Sequence, residues 1–160
     1  MKTVDDTDMR MMRRAIALAT ESVATGGGPF GAVIVKDDVV LAEASNRVVP
    51  DHDPTAHAEV NCIRQACRRL GTHDLEGCTI YTSCEPCPMC LGAIYWAHIG
   101  RIFYACTRKD AAEAGFADDH IYEELEKPLS GRDTPILPLL RDEGLAAFRE
   151  WAEKSDRTEY

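Results

Sequence analysis

Two short stretches carry residue types that can hold a metal ion and move a proton. His57-Ala58-Glu59 places an imidazole and a carboxylate at the start of one expected helix, and Pro86-Cys87-Pro88-Met89-Cys90 opens another. Cys87 and Cys90 are three residues apart, so on a helix both thiols leave the same side of the first turn. A helix N-terminus also favours thiolate over thiol. With His57 they make three ligands, the number with which a catalytic zinc keeps a fourth position for water or hydroxide. Zinc brings the pKa of such a water to about 7. Glu59 is then a proton carrier, taking a proton from the water and returning it to a ring nitrogen and to a leaving amine. The chemistry implied is hydrolysis at an amidine-like carbon, with an amino group leaving as ammonia.

Taken alone, a CxxC is a moderate signal, and a single helical His is more often structural. The joint pattern is far more specific: HxE, then PCxxC with its first Cys 30 residues after the His and a strand between. That is the signature of zinc deaminases, in which the Glu is not a ligand. A closed zinc site is the competing arrangement. Cys84 lies three residues before Cys87, so a closed site of one His and three Cys is conceivable. It would make a structural zinc with no room for water and leave Glu59 without a purpose.

Composition bounds the rest. The chain has 160 residues, 45% hydrophobic and 28% charged, which fits a single globular domain. No apolar run approaches the roughly 20 residues of a membrane helix, and residues 1–14 lack an apolar signal core. A cytoplasmic location without a membrane partner is expected. The cysteine count is seven, an odd number, which favours reduced thiols and metal binding over a disulfide framework. Lys and Arg number 18 against 27 Asp and Glu, for a net charge of −9. A grip on a long phosphate backbone calls for a basic footprint, so no nucleic-acid partner is expected. Arg64, Arg68 and Arg69 read as a solvated helix face.

The elements that must position the site follow from periodicity. Apolar residues at Met9, Met12, Ile16, Ala19 and Val23 predict a helix ending at Gly26-Gly27-Gly28-Pro29. Strands are expected over 32–35 and 39–42, with a hairpin turn at Lys36-Asp37-Asp38. Asp53-Pro54 looks like the start of a helix burying Val60, Ile63, Cys67 and Leu70 and stopping at Gly71. A strand over 78–82, a buried helix over 87–97, a strand over 101–107 and a helical turn over 109–114 come next. A last strand over 136–140 and a helix containing 145–151 complete the chain. Strands alternating with helices predict an α/β fold: a three-layer α/β/α sandwich with a mixed central sheet of about five strands.

Several blocks resemble a known family. They are Gly27-Gly28-Pro29-Phe30-Gly31-Ala32-Val33-Ile34-Val35, Asp53-Pro54-Thr55-Ala56-His57-Ala58-Glu59-Val60, the run from Tyr81 to Ala97, the run from Asp110 to Phe116, and Glu159-Tyr160. Together they are similar to the bacterial guanine deaminases of the cytidine/deoxycytidylate deaminase superfamily. The resemblance implies a cytidine deaminase-like fold and one Zn2+ per subunit on His57, Cys87 and Cys90, with Cys84 packed alongside. It implies guanine hydrolysis to xanthine and ammonia in purine catabolism or salvage, with Glu59 and Asp118 catalytic. Phe30, Asn46, Ala58, Trp96 and Tyr160 would contact the purine base. Ala117 departs from the family, where relatives usually place an acid, so Asp118 and Asp119 compete for the role of acceptor. The resemblance also implies a homodimer that exchanges its C-terminal segment, about residues 135–160, with Tyr160 closing a pocket. Guanosine deamination, tRNA adenosine deamination and a non-catalytic zinc module are the alternative readings.

Overall fold

A computed structural model describes residues 4–160. The elements run α1 (Asp6–Ala24), β1 (Gly31–Lys36), β2 (Val39–Ser45), α2 (Val48–Asp51), α3 (Ala58–Leu70), β3 (Thr79–Cys84), α4 (Pro88–Trp96), β4 (Arg101–Cys106), α5 (Arg108–Glu113), α6 (Asp119–Glu126) and α7 (Arg141–Glu153). They form two compact units that divide between Asp118 and Asp119.

In the first unit four strands form one sheet in the order β2-β1-β3-β4. β1 pairs antiparallel with β2 and β3, whereas β3 and β4 are parallel. β1 is apolar on both sides because both of its faces are covered. Its alternate residues Val33 and Val35 pack with Met11, Ala15 and Leu18 of α1 and Tyr81 of β3. Ala32 and Ile34 face the other way, against Ala58, Cys62 and Ala66 of α3 and Ile94 of α4. This is the expected three-layer sandwich. Gly31 lets α1 close on the sheet: a Cβ there would stand 2.3 Å from the Ala15 carbonyl oxygen. The β1–β2 turn is the expected one, with Asp37 and Asp38 both at positive φ, as a tight two-residue hairpin requires.

Three expectations are corrected. α3 begins at Ala58 with His57 as its N-cap, not at Asp53-Pro54. The Asp53 carboxylate is taken by the Thr55 N–H and hydroxyl at 2.8 and 2.7 Å, a local turn that competes with helix initiation. The core face of α3 is Ala58, Glu59, Cys62 and Ala66. Val60, Ile63 and Cys67 lie on its flanks and Leu70 is exposed. Small residues lie underneath, so this helix sits close to the sheet and its larger apolar residues splay to the sides. Among the described residues the sheet has four strands rather than about five. Residues 136–140 form no strand; Pro135 and Pro138 bring no N–H to a ladder.

The arginines of α3 are exposed. Arg64 lies 3.8 Å from Asp53, and Arg69 donates to the Val40 and Leu41 carbonyls.

The second unit comprises α6, a 3-10 turn over Leu129–Gly131, and α7. None of its residues is buried. Leu137, Leu139, Leu140 and Phe148 are among its exposed large apolar side chains. Within the described residues, no helix is long and apolar enough to cross a membrane.

A buried polar knot ties α1 to the sheet. Asp8 closes the capping box of α1 with Asp5. Its carboxylate also accepts from the Tyr81 hydroxyl at 2.5 Å and from Arg101 at 3.4 Å. Tyr81 stacks on Phe103, and the Arg101 guanidinium lies over the Phe103 ring. Burial works to raise the Asp8 pKa, but the bonds from Tyr81 and Asp5 and the Arg101 charge outweigh it and leave it below 3.8. Stability from this shift is complete above the ordinary carboxylate range and is lost as pH falls through the lowered folded value. Tyr81→Phe should lower the urea unfolding free energy by about 1.5–3 kcal/mol at neutral pH. The difference from the parent protein should shrink on acidification below pH 3.8. An unchanged urea midpoint at pH 7 would refute the assignment.

Candidate metal and active site

Two helix N-termini converge at the end of the sheet. His57 is the N-cap of α3 and Cys87 the N-cap of α4, whose first turn carries Cys90. Each Sγ lies 3.5 Å from His57 Nδ1. Tetrahedral zinc with bonds of about 2.3 Å to sulfur and about 2.0 Å to nitrogen sets that same separation of about 3.5 Å. The three donors therefore fit zinc. Cys84 is not part of the cluster. Its Sγ lies 3.5 Å from the Thr107 carbonyl, and burial pushes its thiol up to about 11. The closed four-ligand site is not formed.

Electrostatics prepare the donors. A hydrogen bond from Cys90, supported by His57, lowers the Cys87 thiol to about 4. The hydrogen bond to Cys87 is likewise the main reason that His57 is raised. Glu59, in the first turn of α3, is 7% exposed. Burial raises its pKa above the usual carboxylate value, reinforced by the Cys87 charge. Its carboxyl is in hydrogen-bonding contact with Cys90. A group so placed can take a proton and hold it beside the donors.

The walls are tied to the sheet. The Gly31 N–H donates to Ser83 Oγ at 3.0 Å, and the Asn46 N–H to the Phe30 carbonyl at 3.0 Å. Asn46 is buried. Its Oδ1 accepts from the Gly28 and Val48 N–H groups, both at 3.2 Å. This pins the amide and turns its Nδ2 donor end away from those contacts. Phe30 meets Phe116 edge to face, with centroids 5.0 Å apart at 87°. Asp118 lies close enough to His57 for its charge to raise the imidazole pKa, and its Oδ1 is shielded from solvent. Ala58 is fully buried between His57 and Glu59.

The structure thus brings His57, Glu59, Cys87, Cys90 and Asp118 together, with Ala58 between the first two. It links Phe30 to Asn46. Trp96 is the last residue of α4, nine positions beyond Cys87, and is 67% exposed. Tyr160 lies in the second unit and is 73% exposed. Phe116 was not among the expected contacts. No periodicity links it to Phe30, and only the resemblance around Gly115-Phe116 pointed toward it.

A sheet with an imidazole and two thiols at helix N-termini, and a buried carboxyl beside them, defines a zinc-dependent hydrolase. The chain belongs to the cytidine and deoxycytidylate deaminase zinc-binding family, which it matches over residues 5–106. It is 53% identical to guanine deaminase of Bacillus subtilis over 150 residues, covering 93% of this chain and 96% of that protein. An X-ray structure of guanine deaminase from Bacillus subtilis superposes with a TM-score of 0.93 at 50% identity, covering 98% of this chain and 99% of that one. A tRNA-specific adenosine deaminase of Aquifex aeolicus is 40% identical over 98 residues, covering 61% of this chain and 65% of that protein.

Glu59→Gln and Cys90→Ala should fail differently. The amide keeps the shape of Glu59 but cannot carry a proton, so zinc content should stay near one per chain while turnover falls about 100- to 10,000-fold. Cys90→Ala should lose zinc and thermal stability together, because metal binding is coupled to folding. Elemental analysis and ammonia release measured side by side separate the two. More than about a tenth of parental turnover in Glu59→Gln would sink the proton-carrier role.

Proposed function

We propose that this enzyme replaces the 2-amino group of guanine with oxygen from water, giving xanthine and ammonia. The observation that carries the reading is the extent of likeness: 96% of the Bacillus subtilis guanine deaminase is covered, against 65% of the tRNA adenosine deaminase. The net charge of −9 adds to it, because an enzyme that grips tRNA needs a positive surface.

The residues fit guanine. Phe30 and Phe116 form an aromatic corner on which a flat base can lie. The Asn46 amide, with its oxygen already engaged, has its Nδ2–H2 to donate to a base acceptor. Ala58, at the start of α3, offers a backbone N–H that has no acceptor within the helix. Guanine presents N1–H and its 2-amino group as donors, and the Asp118 carboxylate is the acceptor matched to them. His57, Cys87 and Cys90 would hold the zinc, which when bound would supply a water acidified to a pKa of about 7. Glu59 accepts a proton from the attacking water, passes it to the ring nitrogen next to C2, and completes transfer to the departing amine. Asp118 holds the base edge and assists the last transfer.

The functional form is a homodimer. Its support is the second unit, which buries none of its residues and exposes Leu137, Leu139, Leu140 and Phe148; apolar surface of that extent calls for a cover. We assign the cover to a second copy, with the C-terminal segment exchanged and Tyr160 closing an active site. Trp96, exposed on α4, is completed as a pocket wall by the same association.

Ammonia release from guanine, guanosine, adenine, cytosine and cytidine tests the substrate. Guanine should lead by kcat/KM, and preference for guanosine would overturn the reading. Asp118→Ala should cost guanine turnover about 100-fold with zinc retained; if Asp119→Ala is the damaging change, the acceptor has been misassigned. Deleting residues 157–160 should leave a folded, zinc-loaded dimer with turnover reduced about tenfold or more. Sedimentation as a monomer, or full activity after the deletion, refutes the exchange.

A further inference from the structure

We propose that Cys84 and Cys106 form a reversible disulfide, a redox-modification site at the C-terminal ends of β3 and β4 that slows the enzyme when closed. The two residues are register partners in the parallel β3–β4 pair. Adjacent strands stand about 4.8 Å apart, inside the Cα separation of about 4.4–6.8 Å that a disulfide spans. Their sulfurs also feel each other electrostatically. Cys106 is the one exposed cysteine of the seven, while Cys84, its partner on the neighbouring strand, is buried. Cys62, Cys78 and Cys90 are buried too, and Cys67 and Cys87 are half-buried. An oxidant from solvent therefore meets Cys106 first.

The order of events follows from exposure. The Cys106 thiolate attacks one sulfur of a small aliphatic disulfide such as oxidised glutathione. That S–S bond breaks, one thiol leaves, and Cys106 carries a mixed disulfide. Cys84 then gives up its proton and attacks Cys106 Sγ, expelling the second thiol. Two cysteine thiols are oxidised and one external disulfide is reduced to two thiols. Burial pushes the Cys84 thiol up to about 11, which slows its own attack on an external disulfide; proximity in the folded chain supplies the high effective concentration for the second step, in which the proton of Cys84 passes to the departing thiolate.

Both strand ends lead straight into the site. Cys84 precedes the zinc ligand Cys87 by three residues. The Glu85 N–H donates to the Cys106 carbonyl at 2.8 Å, and the Glu85 carboxylate accepts from the Arg108 N–H at 3.0 Å. From Cys106 the chain passes through α5 to Phe116 and Asp118. Drawing two side chains to bonding distance here displaces both the metal loop and the pocket wall, and small displacements of reacting groups cost much rate.

The test uses the zinc-loaded enzyme incubated with oxidised glutathione. Peptide mapping should show a Cys84–Cys106 cross-link, absent in Cys106→Ser, with zinc retained at one per chain. Guanine turnover should fall about threefold or more, recover with dithiothreitol, and stay unchanged in Cys106→Ser. Mapping and zinc content do not depend on the substrate assignment, so they stand if guanine is the wrong base. Accumulation of the mixed disulfide alone, a cross-link through Cys87 or Cys90 with loss of zinc, or full turnover after complete cross-linking would each overturn the proposal.

Discussion

The structure depends on holding three soft donors from two helices within bonding range of one ion. His57 and the two cysteines are separated by 30 and 33 residues, so no local motif can set their distance. The sheet does it. β3 runs directly into the loop before α4, and α3 packs on β1 and β2 through alanines and a cysteine. The two helix starts therefore arrive at one end of the sheet, where helix N-termini favour the thiolate forms. The packing around β1 is tight on both of its faces. Gly31 against Ala15 and the small core face of α3 both keep helices near the strands.

Burying Glu59 is the second constraint. An unpaired ionised carboxylate is costly inside a protein, and the buried Glu59 answers by a raised pKa. Its neutral, protonated form is thereby favoured more than that of an exposed carboxylate. Asn46 shows the complementary strategy. Its oxygen is saturated by two backbone donors, so the polarity of what remains is fixed before any ligand arrives.

Much of this was legible in the chain itself. HxE and PCxxC named the three donors, and the buried carboxyl beside them, because their chemistry admits few substitutes. The Asp37-Asp38 turn and the Gly71 helix stop were legible because positive φ restricts residue choice. What failed were judgements of face and edge. Asp53 looked like a helix cap, yet its carboxylate serves Thr55. Val60 and Leu70 looked like core, yet alanines occupy the closest approach. The apolar run at 136–140 looked like a strand, but a strand also needs a free ladder partner, and sequence pattern does not encode one. Phe116 stayed hidden because its meeting with Phe30 is set by tertiary folding alone.

The three donors and the buried Glu59 all lie between His57 and Cys90, while Phe116 and Asp118 come from beyond β4 and the capping box of α5. Phe116 therefore reaches Phe30 across a gap in the sequence that contains every zinc donor. A change in the length of α5 or its flanking loops would move that aromatic edge while the spacing from His57 to Cys90 stayed as it is.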